Sequence, residues 1–279
     1  MKIGSDEHKE LFCRSFIDSH LAYDPRELAW PDLDDRSLAF LHAVPVWGSA
    51  FEVEVNAGNM LETFAATQRD PLVREALELQ GHEETRHGVM LSTLFERASI
   101  RISRVDPSIR SGKSAFVSFG YDECLDSFFG FGIFRIAREA NVVSEALINV
   151  FARVLIEEAR HIVFFVNWIA YDRAKRGLGA EILQAPPTAF GYAQALFKTI
   201  RRGKSANAQG RGMAVALDVF AGLTLERFLR TCLEENDRYM EAFDPRLLRP
   251  RVVPALVRYA LRMLPKRTRM RSIVGESSS

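Results

Sequence analysis

Apolar residues recur along this chain every three or four positions, the spacing of an amphipathic helix, and alternating apolar and polar runs are scarce. The pattern predicts a short helix over about Asp6–Ala22, then a loop rich in proline and aspartate, YDPRELAWPDLDD. Helix A starts near Pro45, a residue suited to a first helical turn, and runs to about Thr67. Gln68-Arg69-Asp70-Pro71 is a turn, and helix B follows to about Ala98. The polar segment SIRISRVDPSIRSGKS reads as a crossover. Helix C then spans about Ala115–Ala140 and helix D about Ser144–Lys175, with a turn near Asn141 between them. Pro186-Pro187 and RRGKSANAQGRG punctuate further helices around 188–200, 213–222 and 224–242. The expectation is an all-α protein. One helical domain covers 1–242, with a bundle at about 45–175 and flanking helices over 176–242, and a basic helix and tail cover 243–279.

Charge refines this picture. Over 279 residues, 37 Lys and Arg against 36 Asp and Glu leave a formal net charge of +1, which argues against a globally basic nucleic-acid binder. Residues 243–279 hold nine basic residues and two acids, so residues 1–242 carry 28 basic against 34 acidic, a balance of −6. The basic end suits a solvated terminal helix with a frayed tail, or a docking segment for an anionic membrane or a reductase. Cys13, Cys124 and Cys232 are far apart and form no C-x-x-C, which excludes a disulfide scaffold, a zinc ribbon and a rubredoxin-type iron site. The first twenty residues contain no apolar signal-peptide core, and the run Ile162–Tyr171 is too short for a membrane span. A soluble, cytoplasmic protein is expected.

The most informative feature is an internal repeat. Helix B contains Glu83-Glu84-Thr85-Arg86-His87 and helix D contains Glu157-Glu158-Ala159-Arg160-His161, both reading E-E-x-R-H. One E-x-x-H is weak on its own, whereas two copies agreeing at four of five positions are hard to attribute to chance. Residues i and i+3 share a helix face, so a carboxylate and an imidazole can hold one side of a metal ion. Glu84 and His87 lie within the stripe Leu77, Gly81, Gly88, Leu91, Phe95, and Glu158 and His161 within Phe151, Val154, Ile162, Phe165. An unpaired carboxylate in such a stripe costs several kcal/mol, and a bound cation removes that cost. The alternative is a pair of buried ion pairs.

Two further carboxylates would complete such a site. In an antiparallel helical hairpin, residues equidistant from the turn lie level. Reflecting Glu84 through Arg69 reaches Glu54, and reflecting Glu158 through Ala140–Asn141 reaches Glu123. Helix A carries the apolar stripe Val46, Ala50, Val53, Ala57, Met60, Leu61, Phe64; Glu54 lies roughly 70° from its centre and Glu52 roughly 130°. On helix C, Glu123 stacks with Phe116, Gly120, Ser127, Gly130 and Phe134, and Asp126 lies close to the same face. Glu52 and Asp126 therefore stay open as rivals.

Glu54, Glu84-x-x-His87, Glu123 and Glu158-x-x-His161 together resemble the ligand set of the ferritin-like di-iron carboxylate superfamily, over about residues 45–175. Rubrerythrins, mini-ferritins, di-iron hydroxylases, N-oxygenases and aldehyde-deformylating oxygenases belong to it. The long extension after helix D departs from the minimal pattern. The resemblance implies a ferritin-like antiparallel four-helix bundle with additional N- and C-terminal helices, holding two iron ions, with manganese or a mixed Mn/Fe pair open. It implies that Glu84, His87, Glu158 and His161 anchor the metals while Glu54 and Glu123 bridge or shift. It also implies that Glu83 orients His161 and Glu157 orients His87, the alternative for both being solvent-side pairing with Arg86 and Arg160. The activity implied is that of an O2-dependent oxidase or oxygenase acting on a small, partly apolar organic substrate. An external electron-donor protein would be needed, because the chain has neither an iron–sulfur motif nor a flavin or nicotinamide fingerprint. Iron handling, as ferroxidase or peroxide scavenger, is the alternative. A homodimer is left open.

Other residues are expected to be structural. His8, His20 and His42 read as ordinary surface or core histidines, and His82 and His87 lack the H-E-x-x-H spacing. Phe128, Phe129, Phe131, Phe134, Phe164, Phe165 and Trp168 read as core more readily than as a substrate channel. Gly120, Gly130 and Gly132 weaken helix C and so point to close packing or cavity space. Asp218 and Glu226 read as ion-pair partners more readily than as a seventh ligand.

Overall fold

The computed structural model describes residues 1–44, 47–102, 111–177, 188–195, 198 and 223–264. Among them every regular element is helical and no strand occurs. The helices are α1 (Asp6–Asp18), α2 (Asp35–Ala43), α3 (Trp47–Ala66), α4 (Pro71–Ala98), α5 (Lys113–Glu139), α6 (Glu145–Lys175), α7 (Leu225–Glu241) and α8 (Val252–Met263). Residues 188–195 are also helical, where a helix around 188–200 is expected. The expected helix at 213–222, the centre of the crossover at 103–110, and the tail beyond 264 lie outside the described residues.

Local chemistry sets the boundaries. Asp70 caps α4 by accepting from the amides of Leu72 and Val73, and Pro71 occupies its first position. Ser144 caps α6 by accepting from Leu147 N. Asn141 takes φ 48° in the tight turn before it, a conformation Asn tolerates better than most residues. The N-terminal region departs from expectation in two ways. α1 stops at Asp18 rather than near Ala22, and residues read as connecting loop give way to α2, capped by Asp34 accepting from Ser37 N.

α3 packs along α4 and α5 along α6, each pair joined by a turn too short for anything but antiparallel neighbours. The pairs meet through contacts of α3 with α5 and of α4 with α6. α1 lies across α4 and α6, while α7 runs along α5 and carries α8. Most of the phenylalanine set is core, as expected: Phe128, Phe131, Phe164, Phe165 and Trp168 are buried, whereas Phe129 stacks on Phe228 of α7 from a half-buried position. Phe64 of α3 stacks on Phe116 of α5 with 4.9 Å between ring centroids, and Trp168 of α6 closes on both rings edge-on. Leu247, Val253 and Val257 join this same core from the C-terminal segment.

Glycine explains how closely α5 is approached. A Cβ on Gly120 would run into the Phe165 ring, and one on Gly132 would meet Cys232, whose Cα would lie only 3.0 Å away. A Cβ on Gly130 would meet nothing within 4 Å. Close packing therefore accounts for the first two glycines and not for the third.

Candidate metal centre

The six carboxylates and imidazoles singled out in the sequence converge at the middle of α3, α4, α5 and α6. Ligand-capable atoms of Glu54, Glu84, His87 and Glu158 lie within 4.8 Å of one another, and so do those of Glu84, Glu123 and His161. Glu84 belongs to both groups. Glu52 is exposed and Asp126 half-buried, and neither joins a group, whereas Glu54 and Glu123 each do. Glu226 is exposed and paired with Arg230 on its own helix, and Asp218 lies outside the described residues.

Two of the carboxylates lie near both imidazoles. Glu84 places Oε1 3.0 Å from His161 Nδ1 and Oε2 3.6 Å from His87 Nδ1. Glu158 does the converse, with Oε1 3.2 Å from His87 Nδ1 and Oε2 3.6 Å from His161 Nδ1. The carboxylates that span the two imidazoles are thus Glu84 and Glu158. Glu54 reaches His87 alone, at 3.5 Å, and Glu123 belongs only to the His161 group, which places these two at the ends. The physical reason is helix position: α4 and α6 each carry an imidazole as well as a carboxylate, so their glutamates fall between the rings.

The imidazoles are held from behind. His87 Nε2 donates to Glu157 Oε2 at 2.9 Å, and His161 Nε2 donates to Glu83 Oε2 at 2.8 Å. Both arginines of the repeats take part as well. Arg86 pairs with Glu157, and Arg160 Nη1 donates to Glu83 Oε1 at 2.7 Å. The two alternatives read from sequence are therefore realised together, and the pairing with Arg160 is buried rather than solvent-facing. Burial would raise Glu83, but His161 and Arg160 outweigh it and hold the carboxyl at about 2.

Sequence reasoning missed two participants. His20, read as ordinary, directs Nδ1 at Glu83 Oε1 across 2.6 Å, and Tyr23 donates its hydroxyl to Glu157 Oε2 at 2.9 Å. No spacing signal could have found them, since they meet partners 63 and 134 residues away. His8 and His42 behave as expected: His8 is buried against Asn167 and His42 is exposed.

The donor set fits divalent metal ions. His87 Nδ1, His161 Nδ1, Glu54 Oε2 and Glu158 Oε2 are all buried without a hydrogen-bond partner. Buried polar atoms are almost always satisfied, so four orphans on residues of these two groups are donors that a cation could satisfy. Protonation shows the same tension in the metal-free chain. Burial, and then the charges on Glu158 and Glu84, raise Glu123 well above the carboxylate range. Burial would depress His87 and His161, but the surrounding carboxylates win and raise both well above 6.5. Burial would also raise Glu158, and the two imidazoles instead hold it well below the usual range.

Comparison with known proteins adds no identification: no family model matches the chain, no curated protein matches it, and no solved structure matches it.

Proposed function

We propose that α3 to α6 form a ferritin-like antiparallel four-helix bundle holding two iron ions, and that the protein is an O2-dependent oxidase or oxygenase. The observation that carries this reading is the convergence of unsatisfied Nδ1 atoms and carboxylate oxygens from a duplicated E-E-x-R-H motif. Glu54, Glu84, His87 and Glu158 would hold one ion, and Glu123 and His161, sharing Glu84, the other. Four carboxylates and two imidazoles suit first-row metals, so manganese or a mixed Mn/Fe pair fits the same donors. Iron held there would supply the redox chemistry that turns O2 on an organic molecule.

The chain's own residues do the rest. Glu83 and Glu157 fix each imidazole with Nε2–H outward, which leaves Nδ1 free to face the centre. Glu54 and Glu158 keep side-chain exposures of 18% and 13%, while His87 and His161 are almost wholly enclosed, so access to the centre is past these two carboxylates. Phe16 packs beside His161, 5.9 Å between ring centroids, and keeps water from its back. The substrate is proposed as small and partly apolar, and the electrons as supplied by a separate donor protein, since the three cysteines are buried and dispersed.

The test is metal content. Protein produced with iron and manganese in the medium should carry about two ions per chain, and Glu84→Ala combined with His161→Ala should carry none while its circular dichroism stays helical. Unchanged metal stoichiometry in that double variant refutes the site. A 24-mer or 12-mer shell on size exclusion would move the reading to iron storage. The helices α1, α7 and α8 packed around the central four argue against such a shell.

A further inference from the structure

Among the described residues Glu83 and Glu157 are the most enclosed carboxylates, each with no side-chain exposure, and each is surrounded by three donors. Two of the three come from the facing repeat: Arg160 and His161 for Glu83, Arg86 and His87 for Glu157. The third comes in both cases from the stretch that leaves α1, as His20 Nδ1 for Glu83 and the Tyr23 hydroxyl for Glu157. The same stretch holds the arginines. Arg160 Nε donates to Ser19 Oγ at 2.9 Å with its guanidinium 4.4 Å from the Phe16 ring centroid, and the Arg86 guanidinium sits 4.0 Å over the Tyr23 ring.

We propose that His20 and Tyr23 are positioning residues that each govern one half of the centre, His20 through Glu83 and His161, Tyr23 through Glu157 and His87. This rests on the metal-centre reading above. A buried carboxylate with three donors has one orientation; with two, it is free to swing toward its arginine and release the imidazole. The consequence is selective, because His161 belongs to the group with Glu84 and Glu123, and His87 to the group with Glu54, Glu84 and Glu158. The two donors are not equivalent. Tyr23 and His87 share one oxygen of Glu157, whereas His20 and His161 take opposite oxygens of Glu83. Loss of His20 therefore removes the only imidazole on Glu83 Oε1 and leaves Arg160 there alone.

The full-length chain tests this with His20→Leu, Tyr23→Phe and the donor-retaining His20→Gln. Tyr23→Phe keeps the ring under Arg86 and removes only the hydroxyl. In metal-free protein, proton NMR of 15N-histidine-labelled samples should show the His161 Nε2–H exchanging at least about tenfold faster in His20→Leu, with His87 unchanged. Tyr23→Phe should do the reverse, and His20→Gln should restore protection. In anaerobic Mn2+ titrations, each of the first two variants should weaken one of two sites by about ten- to a hundredfold and spare the other. Equal loss at both sites, or no change in either exchange rate, overturns the assignment. A wild-type chain that takes up no Mn2+ or iron would instead defeat the metal-centre reading, while the exchange measurement would still decide the role of the two residues.

Discussion

Glu157 of α6 accepts from His87 Nε2 of α4 at 2.9 Å, and the relation is mirrored by Glu83 of α4 accepting from His161 Nε2 of α6 at 2.8 Å. Each repeat thus supplies the carboxylate that orients the other repeat's imidazole. Glu157→Ala would leave a buried imidazole and a largely buried guanidinium facing empty space, and is expected to destabilise the fold by about 3–5 kcal/mol. Urea denaturation of the metal-free variant checks this. A loss below about 1 kcal/mol would mean the carboxylate holds no buried charge in place.

The metal-free centre binds more protons than the unfolded chain does near neutral pH. Burial lifts Glu54 from 4.5 to about 8, against the pull of His87 and with added repulsion from Glu84 and Glu158. His87 and His161 are raised well above 6.5. Groups raised on folding contribute stability that is complete below their unfolded values and is lost as pH climbs to their folded ones. The melting temperature of metal-free protein should therefore fall as pH rises from about 4.5 through about 8, the span of Glu54, with the two histidines adding to the loss above 6.5. Glu83, held at about 2, acts in the opposite sense and only in strong acid. Metal must displace protons from Nδ1 and from Glu54, so uptake should release protons and tighten as pH rises. Calorimetry of Mn2+ binding in two buffers of different ionisation enthalpy measures that release, and identical heats would contradict it.

Cys13, Cys124 and Cys232 are buried, and burial pushes each thiol up to about 12. All three should resist a thiol reagent at pH 8 in the native state and react together once the chain is unfolded. Fast labelling of any one without denaturant would show that its surroundings open.

Gly132→Ala sets two effects against each other. Alanine favours the helix by about 1 kcal/mol, but its methyl would press on the backbone of Cys232, 3.0 Å from Cα and 3.1 Å from N. Backbone cannot rotate aside, so overpacking should dominate and lower stability by about 1–3 kcal/mol, seen as a lower melting temperature. Gly130→Ala, with open space around its Cβ, should raise stability by up to about 1 kcal/mol.

How much of this was legible in the sequence follows from the range of each interaction. Glu54 and Glu123 could be found because a short turn converts sequence distance into height along a helix pair, and both level with their partners as reflection requires. α2 escaped because the Pro- and Asp-rich stretch before it reads as loop, although Asp34 followed by Ser37 was a usable cap signal. That Glu84 and Glu158 lie near both imidazoles, while Glu54 reaches His87 and Glu123 groups with His161, depends on carboxylate orientation, which spacing does not encode. His20 and Tyr23 lie further from legibility still. Their importance comes from where α1 crosses α4 and α6, a tertiary fact with no local signature.

Greasy helix faces tolerate sliding, since a shift of one turn, about 5.4 Å, offers a similar set of knobs and hollows. The crossed carboxylates do not. A one-turn slip of α6 past α4 would part Glu157 from Arg86 and His87 and Glu83 from Arg160 and His161 in the same movement. The repeat therefore works as a key cut on two blades, fixing the longitudinal alignment of the two hairpins independently of anything bound between them.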